Sequence, residues 1–324
     1  LNRRKQFLAG LRLLLVAGLL VQPLTADESR DILYAEHMPL ATRSLLLDIT
    51  RADDTLVAVG ERGHVILSTD GDHWRQADVV PTRSTLTTVF SIGRRLWAGG
   101  HDATIITSGD GGNTWTRQFF DPGREQAVMD IFFTDENDGV AIGSYGLYLR
   151  TGNGGKTWED GVVDAENSYH LNGMVRFADG RRMIAGEAGY SYRSFDDGAS
   201  WEAMSLPYQG SMWGALRTDA GCVLFYGLRG HVLQSCDFGS TWAQLQTGTK
   251  ASISGAAAAD GKIVLAANGG TVLVLQNGVF NTYQHSSGVD FAGVIPVGNG
   301  RFLLTGEYGV YRYPESATAG DGHD

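Results

Sequence analysis

Glutamate stands at matching places in three copies of one short motif: Glu61 in Gly60-Glu-Arg-Gly63, Glu187 in Gly186-Glu-Ala-Gly189 and Glu307 in Gly306-Glu-Tyr-Gly309. Two carboxylates held near each other can act as general acid and base, the equipment of glycoside hydrolysis. Glu61 and Glu307 form the best such pair in the chain, with Tyr308 beside Glu307 as the hydroxyl that could join them. Arginine offers a second kind of chemistry, the grip on an anionic group. Arg43 and Arg83 occupy matching Thr-Arg-Ser sequences 40 residues apart, and Arg62 and Arg229 each precede the closing glycine of their motif. Tyr145, Tyr169, Trp213 and Tyr308, set among these arginines with His101 and Glu187, are the residue types that anchor protein interfaces. The eight histidines are scattered without the spacing of a metal site, so neither a metal nor a cofactor is expected, and His64 and His231 follow equivalent glycines as fillers of one structural slot.

What must position these residues is a repeat. The motif G-x-x-G recurs with its first position at 60, 100, 143, 186, 227, 267 and 306, with degenerate copies at Gly100-His-Asp-Ala103 and Ala267-Asn-Gly-Gly270. A second signal follows the corner in each of the first five units: Ser108-Gly-Asp-Gly-Gly-Asn-Thr-Trp115 returns with Trp158, Trp201 and Trp242 at its end, and in shortened form with Trp74. Each is a turn in which a Ser or Thr hydroxyl and an Asp or Asn bond nearby backbone N–H groups, Gly takes positive φ, and Trp anchors the returning strand. A period near 40 residues built from short β runs is the mark of a propeller, one four-stranded antiparallel sheet per unit. Helical repeats are excluded by 44 glycines in 324 residues and by the lack of apolar helical periodicity. The fold expected is all-β, a seven-bladed β-propeller over residues 27–314.

Within a unit the strands fall at, for example, Leu86–Phe90 or Val128–Phe133, then Arg95–Gly99 or Gly139–Gly143, then Thr104–Ser108 or Leu147–Thr151, with the fourth after the Trp. The seventh unit stops after its third, Val310–Tyr313, and the first unit begins at Ser44–Thr50 with residues 31–36 left over. Residues 31–36 are therefore expected to supply the outer strand of blade 7 and so close the ring, since open sheet edges invite aggregation. The G-x-x-G corners and the approaches to each inner strand, which add Asp102, Glu125, His170, Lys250 and Asp290, should share one face around the central channel.

Residues 1–26 read as a secretory signal, with Arg3, Arg4 and Lys5 before the apolar run Leu11 to Val21 and a cleavage site at Leu24-Thr-Ala26; an uncleaved anchor is the alternative. Residues 315–324 form a polar tail expected to be disordered. Without the signal the chain carries 22 basic and 36 acidic residues, net charge −14, which makes nucleic acid and anionic membrane surfaces poor partners for the body as a whole and leaves room for a local basic patch. Cys222 and Cys236 face each other if a three-residue corner Leu228-Arg-Gly230 sets the register, giving a cross-strand disulfide in an exported protein or else two buried thiols.

The S-x-D-x-G-x-T-W turns resemble the Asp-box, or BNR, repeat of sialidases and related propellers. With the G-x-x-G corners and the sevenfold count, residues 31–313 resemble the photosystem II stability/assembly factor-like propellers, a family that includes exported proteins described as glycosyl hydrolase-like. The resemblance implies that Asp70, Asp110, Asp196 and Asp237 and the box tryptophans are structural and lie away from the ligand face, and that the arginines of the opposite face grip a client. It points to a non-catalytic, exported monomer that binds a membrane-associated protein complex or transporter subunit, in the periplasm or, in a photosynthetic host, the thylakoid lumen. A glycosidase of sialidase type is the alternative; it would need an arginine cluster and an F-R-I-P motif, and unit 1 reads Ala41-Thr-Arg-Ser44 there instead.

Overall fold

The computed structural model describes residues 32–315. The expected signal segment and the tail from residue 316 lie outside the described residues. Seven antiparallel sheets follow one another along the chain, six of four strands and one of three, each ordered from the inner strand outward in sequence. Blade 1 runs Leu46–Ala52, Thr55–Gly60, Val65–Ser68 and Arg75–Gln76. Blade 2 runs Leu86–Ile92, Arg95–Gly100, Thr104–Ser108 and Thr116–Phe119. The predicted Val128–Phe133, Gly139–Gly143 and Thr104–Ser108 are strands with those very ends.

Second strands such as Gly139–Gly143 and Val223–Gly227 are buried at every position, because both of their faces are covered by neighbouring blades. The apolar core accordingly divides into seven clusters, one per blade interface. Between blades 2 and 3, Trp97 stacks on Phe133 with ring centroids 3.8 Å apart. In six blades the pairing of inner and second strands skips one residue, Leu47, Thr87, Met129, Asn172, Trp213 or Ser254, a bulge that bends each inner strand at the same place.

The expected closure by residues 31–36 is corrected by the structure. Among the described residues blade 7 has three strands, Phe291–Gly298, Arg301–Gly306 and Gly309–Tyr313. Asp31 lies outside the described residues, and the segment that follows runs beside blades 1 and 2. Ala35 N–H donates to the Val80 carbonyl at 2.9 Å, Gln76 Nε2 to the Glu36 carbonyl at 2.8 Å, and Arg83 Nε to the Tyr34 carbonyl at 2.9 Å. The ring closes as the other interfaces do, by face-to-face packing: Leu303 of blade 7 lies in one cluster with Leu46, Ile49, Leu56, Ala58 and Ile66 of blade 1. The physical reason is that apolar faces, not ladder hydrogen bonds, already hold adjacent blades together all round the ring. Glu315, assigned to the disordered tail, is placed: its carboxylate accepts from the Ser286 N–H at 3.1 Å.

Blade 6, which lacks Asp and Trp in its turn, substitutes a two-residue hairpin. Asn277 and Gly278, both at positive φ, join Thr271–Gln276 to Val279–Gln284, and that outer strand is six residues long. In blade 5 Val223 pairs with Ser235, the register expected from the corner, and Cys222 and Cys236 form a disulfide.

Candidate functional site

The seven corners between second and third strands are built to one plan. The N–H of the first corner residue donates to the carbonyl of the residue preceding its own inner strand in all seven: Glu61 to Leu45, His101 to Thr85, Ser144 to Ala127, Glu187 to His170, Leu228 to Ser211, Asn268 to Ser252 and Glu307 to Asp290, at 2.9–3.1 Å. The next residue is left-handed in every blade: Arg62, Asp102, Tyr145, Ala188, Arg229, Gly269 and Tyr308 have φ between 53° and 64°. In four corners its N–H also reaches the following blade: Tyr145 to His170 Nδ1 at 3.5 Å, Ala188 to Ser211 Oγ at 3.2 Å, Arg229 to Ser252 Oγ at 3.3 Å and Gly269 to Asp290 Oδ1 at 2.7 Å. Those corners are latched both to their own blade and to the next.

This geometry assigns several predicted site residues. Glu61, Glu187 and Glu307 all turn a carboxylate back onto the backbone, accepting from the N–H of Leu45, His170 and Asp290 at 3.1–3.2 Å. They brace the corner in three blades, and Ser144 Oγ does so in a fourth, accepting from the Ala127 N–H at 2.8 Å. Glu187 also holds His170 Nδ1 at 2.9 Å, and Tyr145 packs edge-on against that imidazole. Arg83 is engaged with the N-terminal segment, with an ion pair to Glu36 at 2.9 Å, whereas Arg43, Arg62 and Arg229 make no ion pair among the described residues and are exposed. Tyr145 and Tyr308 are 57% and 71% exposed, so the left-handed backbone points them into solvent. His101 is exposed, Trp213 occupies the bulge of its inner strand, and Tyr169 stacks on Tyr190 at 3.9 Å. His64 bonds Ser44 Oγ and His231 the Leu228 carbonyl, both tucked behind corners.

The corners bring some of these residues together. A side chain on Gly309 would strike the Thr42 carbonyl and lie 3.6 Å from Arg43 Cα, so Tyr308 of blade 7 and Arg43 of blade 1 are neighbours. Gly63 abuts the Thr82 carbonyl and Gly230 the Thr249 carbonyl in the same way, which sets Arg62 beside Arg83 and Arg229 beside Lys250. Arginine thus lies over blades 1, 2 and 5, while Tyr145, Tyr169 and Glu187 hold blades 3 and 4.

The opposite edge carries the five Asp-box turns. In each the Ser or Thr oxygen accepts from a glycine N–H, as Ser108 from Gly112 at 3.0 Å and Ser235 from Gly239 at 2.8 Å. The Asp carboxylate takes both the N–H and the hydroxyl of the residue four on: Asp110 with Thr114, Asp196 with Ser200, Asp237 with Thr241. These donors hold Asp196 and Asp237 down to about 2, Ser200 and Thr241 acting first through their hydroxyls. Asp70 is also lowered, by the His73 N–H and imidazole. Trp115 closes its box through Nε1 to the Gly112 carbonyl at 2.8 Å; Trp158, Trp201 and Trp242 bury Nε1 without a partner among the described residues.

Two residues escaped the sequence reading. Asp48 and Asp130, on the inner strands of blades 1 and 3, accept from the Val89 and Met174 N–H groups of the next blade at 2.8 and 2.7 Å. Surface area leaves both half-buried, yet protein surrounds them, and burial pushes Asp48 up to about 6 and Asp130 up to about 7. The signal was present: the third inner-strand residue reads Asp48, Thr88, Asp130, Gly173, Gly214, Gly255 and Gly293 round the ring, and only an alignment of units on their inner strands rather than their turns exposes it.

A profile of the family described as "Photosynthesis system II assembly factor YCF48" matches residues 118–288. The protein named photosystem II assembly lipoprotein Ycf48 from Synechococcus sp. strain CC9902 is 24% identical over 238 residues, 66% of this chain and 69% of that one. Its namesake from strain RCC307 is 31% identical over 91 residues, 28% of this chain and 27% of its own. Among solved structures, one described as YCF48 bound to D1 peptide superposes with TM-score 0.70 at 18% identity, covering 86% of this chain and 95% of that one. YCF48 from Cyanidioschyzon merolae gives 0.67 at 19%, with 86% and 97% covered. A GH74 enzyme from Niastella koreensis shares the fold at 0.67 and 14% identity, covering 86% of this chain and 53% of that one, so the propeller alone does not decide between binding and hydrolysis. The profile match spans just over half of the chain, and the chain belongs to the photosynthesis system II assembly factor YCF48 family.

Proposed function

We propose that this chain is an exported, non-catalytic assembly factor that holds a segment of a membrane-associated protein complex on its corner face. One observation carries the reading: large side chains stand at corner positions that only glycine occupies without strain. A left-handed conformation costs an L-residue about 1 kcal/mol, and such strain collects where the side chain is used. Arg62, Tyr145, Arg229 and Tyr308 accept it while exposed to solvent, and Arg43 stands beside Tyr308. Arginine and tyrosine are the side chains that anchor interfaces, and a guanidinium pairs with a carboxylate of the client. Glu61, Glu187 and Glu307, the carboxylates a hydrolase would call on, are committed to the backbone.

The relative bound to a D1 peptide supports a client of that kind: a reaction-centre segment in the thylakoid lumen if the host is photosynthetic, and an envelope or transporter complex in the periplasm if it is not. The test is co-purification from envelope or thylakoid membranes with the wild type and with an Arg43→Glu, Arg62→Glu, Arg229→Glu triple variant. Recovery of the client should fall at least tenfold with no change in melting temperature; equal recovery would remove the corner face from the reading.

A further inference from the structure

Among the described residues blade 7 ends one strand short, and a cleft lies beside its third strand. It has a volume of about 390 Å³ and is lined by Leu303, Val310, Tyr311 and Arg312 of blade 7 and by Gly71 and Trp74 of the blade 1 Asp-box. Elsewhere in the ring the box of one blade is covered by the blade before it, and twice by that blade's outer strand. Gln118 of Thr116–Phe119 lies over Gly155 and donates to the Gly154 carbonyl at 2.8 Å; Met204 of Glu202–Ser205 lies over Gly239. At Gly71 the cover is the tip of Leu303, 3.0 Å from where a side chain would begin, and beyond it the contact between third strand and box is the ion pair of Arg312 with Asp72.

The edge of Gly309–Tyr313 is equipped to pair. His285 Nε2 bonds the Arg312 carbonyl at 3.2 Å, so the backbone of Arg312 faces outward, and the alternation of an antiparallel ladder turns that of Val310 the same way. Among the described residues no backbone group pairs with the Val310 N–H and carbonyl or with the Arg312 N–H. The chain itself leaves: after Tyr313 it bends to blade 6, where the Glu315 carboxylate takes the Ser286 N–H and hydroxyl, instead of folding back along the third strand as in the six complete blades. An unpaired edge beside a pocket, here lined by both apolar and charged side chains, is the arrangement used for strand addition, with main-chain bonds giving affinity and the pocket giving selectivity.

We propose that this groove binds an extended peptide segment of a partner protein, which pairs antiparallel with Gly309–Tyr313 as the outer strand of blade 7. The outer strands of blades 2 and 4, with Gln118 and Met204, define its chemistry: a short segment, polar on its outer side, with one flexible medium-sized side chain such as Met or Gln turned in over Gly71 and Trp74. The site lies at the Asp-box edge and is independent of the corner face.

The probe is a fluorescent hexapeptide copying residues 201–206, Trp-Glu-Ala-Met-Ser-Leu, titrated with the full chain by anisotropy. Saturable binding should weaken at least tenfold when Met is replaced by Asp. Of two peptides N-methylated on alternate residues, the one that blocks the ladder-facing N–H groups should lose tenfold and the other little. Val310→Pro, which deletes an outward N–H at a sheet edge where proline is tolerated, should lose as much while melting like the wild type. The N-methylated pair leaves the protein untouched, so it decides the matter even if Val310→Pro fails to fold. No saturation at millimolar protein, or equal affinity for both methylated peptides, overturns the proposal. So does binding that emerges only after residues 1–31 or 316–324 are removed, which would make the chain's own end the occupant.

Discussion

Each third strand begins at a corner whose middle residue is left-handed, exposed in five blades and half-buried at Asp102 and Ala188, and in five blades it ends in an Asp-box whose leading hydroxyl and Asp or Asn oxygens are engaged. The same strand therefore connects a turn that leaves side chains unspent to a turn that leaves none. What varies around the ring differs accordingly. The corners carry Arg, Asp, Tyr, Ala, Arg, Gly and Tyr at one backbone geometry, whereas the boxes repeat one hydrogen-bond pattern with few substitutions. A position that holds its backbone conformation while its side chain changes freely is available for recognition; a position that keeps its side chain is holding the turn together.

The largest effect should come from the corner's own scaffold. A Cβ on Gly143 would run into the Ala127 carbonyl oxygen, backbone on backbone, with no flexible side chain to yield. Gly143→Ala should cost about 3 kcal/mol or more, read as a drop in the urea midpoint at constant m-value. If the loss is under half that, the corners are more pliable than the boxes and the contrast fails. Next comes the box. Asp110→Ala removes an acceptor from Ser108 Oγ, Thr114 N–H and Thr114 Oγ1, for about 2 kcal/mol of stability and no change in client binding. A binding defect in a folded Asp110→Ala protein would place function at the wrong edge.

Charge sharpens the same contrast by pH. Asp196 and Asp237, held near 2, favour the folded state above the ordinary carboxylate pKa near 4 and lose that contribution as pH falls toward 2. Asp48 and Asp130 act in the opposite sense: raised to about 6 and 7 by burial, they disfavour the folded state once pH climbs past 4, with the full penalty above 7. Asp130→Asn keeps an oxygen for the Met174 N–H and sheds the charge. It should stabilise by about 1–2 kcal/mol at pH 8, allowing for partial exposure, and not at all at pH 4. Equal shifts at both pH values in thermal melts would mean that the carboxylate is not desolvated.

The repeat made most of this architecture readable, because turn chemistry is local: Gly60 or Asp110 declares its backbone need within four residues. The corner face was legible for the same reason, as the left-handed residue precedes a glycine in six of the seven units, Asp102 before Ala103 being the exception. The destination of residues 33–38 was not legible, since the Ala35 bond to Val80 and the Gln76 bonds to Glu36 and Met38 join segments some 40 residues apart. Arg83 looked identical to Arg43 in sequence and differs only because that segment reaches it. Glu61 and Glu307 looked like chemistry because the acceptor role of a carboxylate toward an N–H in its own blade leaves no trace in residue type.

The smallest effect in stability is the most telling for function. At Tyr145, φ is 54°, the side chain is 57% exposed, and its one close ring partner is His170. Tyr145→Gly removes the left-handed penalty and a modest edge contact, so the protein should gain up to about 1 kcal/mol. Recovery of the membrane client should nonetheless fall several-fold. A gain in stability with a loss of binding is what a strained, presented side chain must give, because the strain is relieved by the same substitution that removes the contact. If Tyr145→Gly instead destabilises the ring, the tyrosine is a structural plug over His170, and only the arginine side of the corner face is left for recognition.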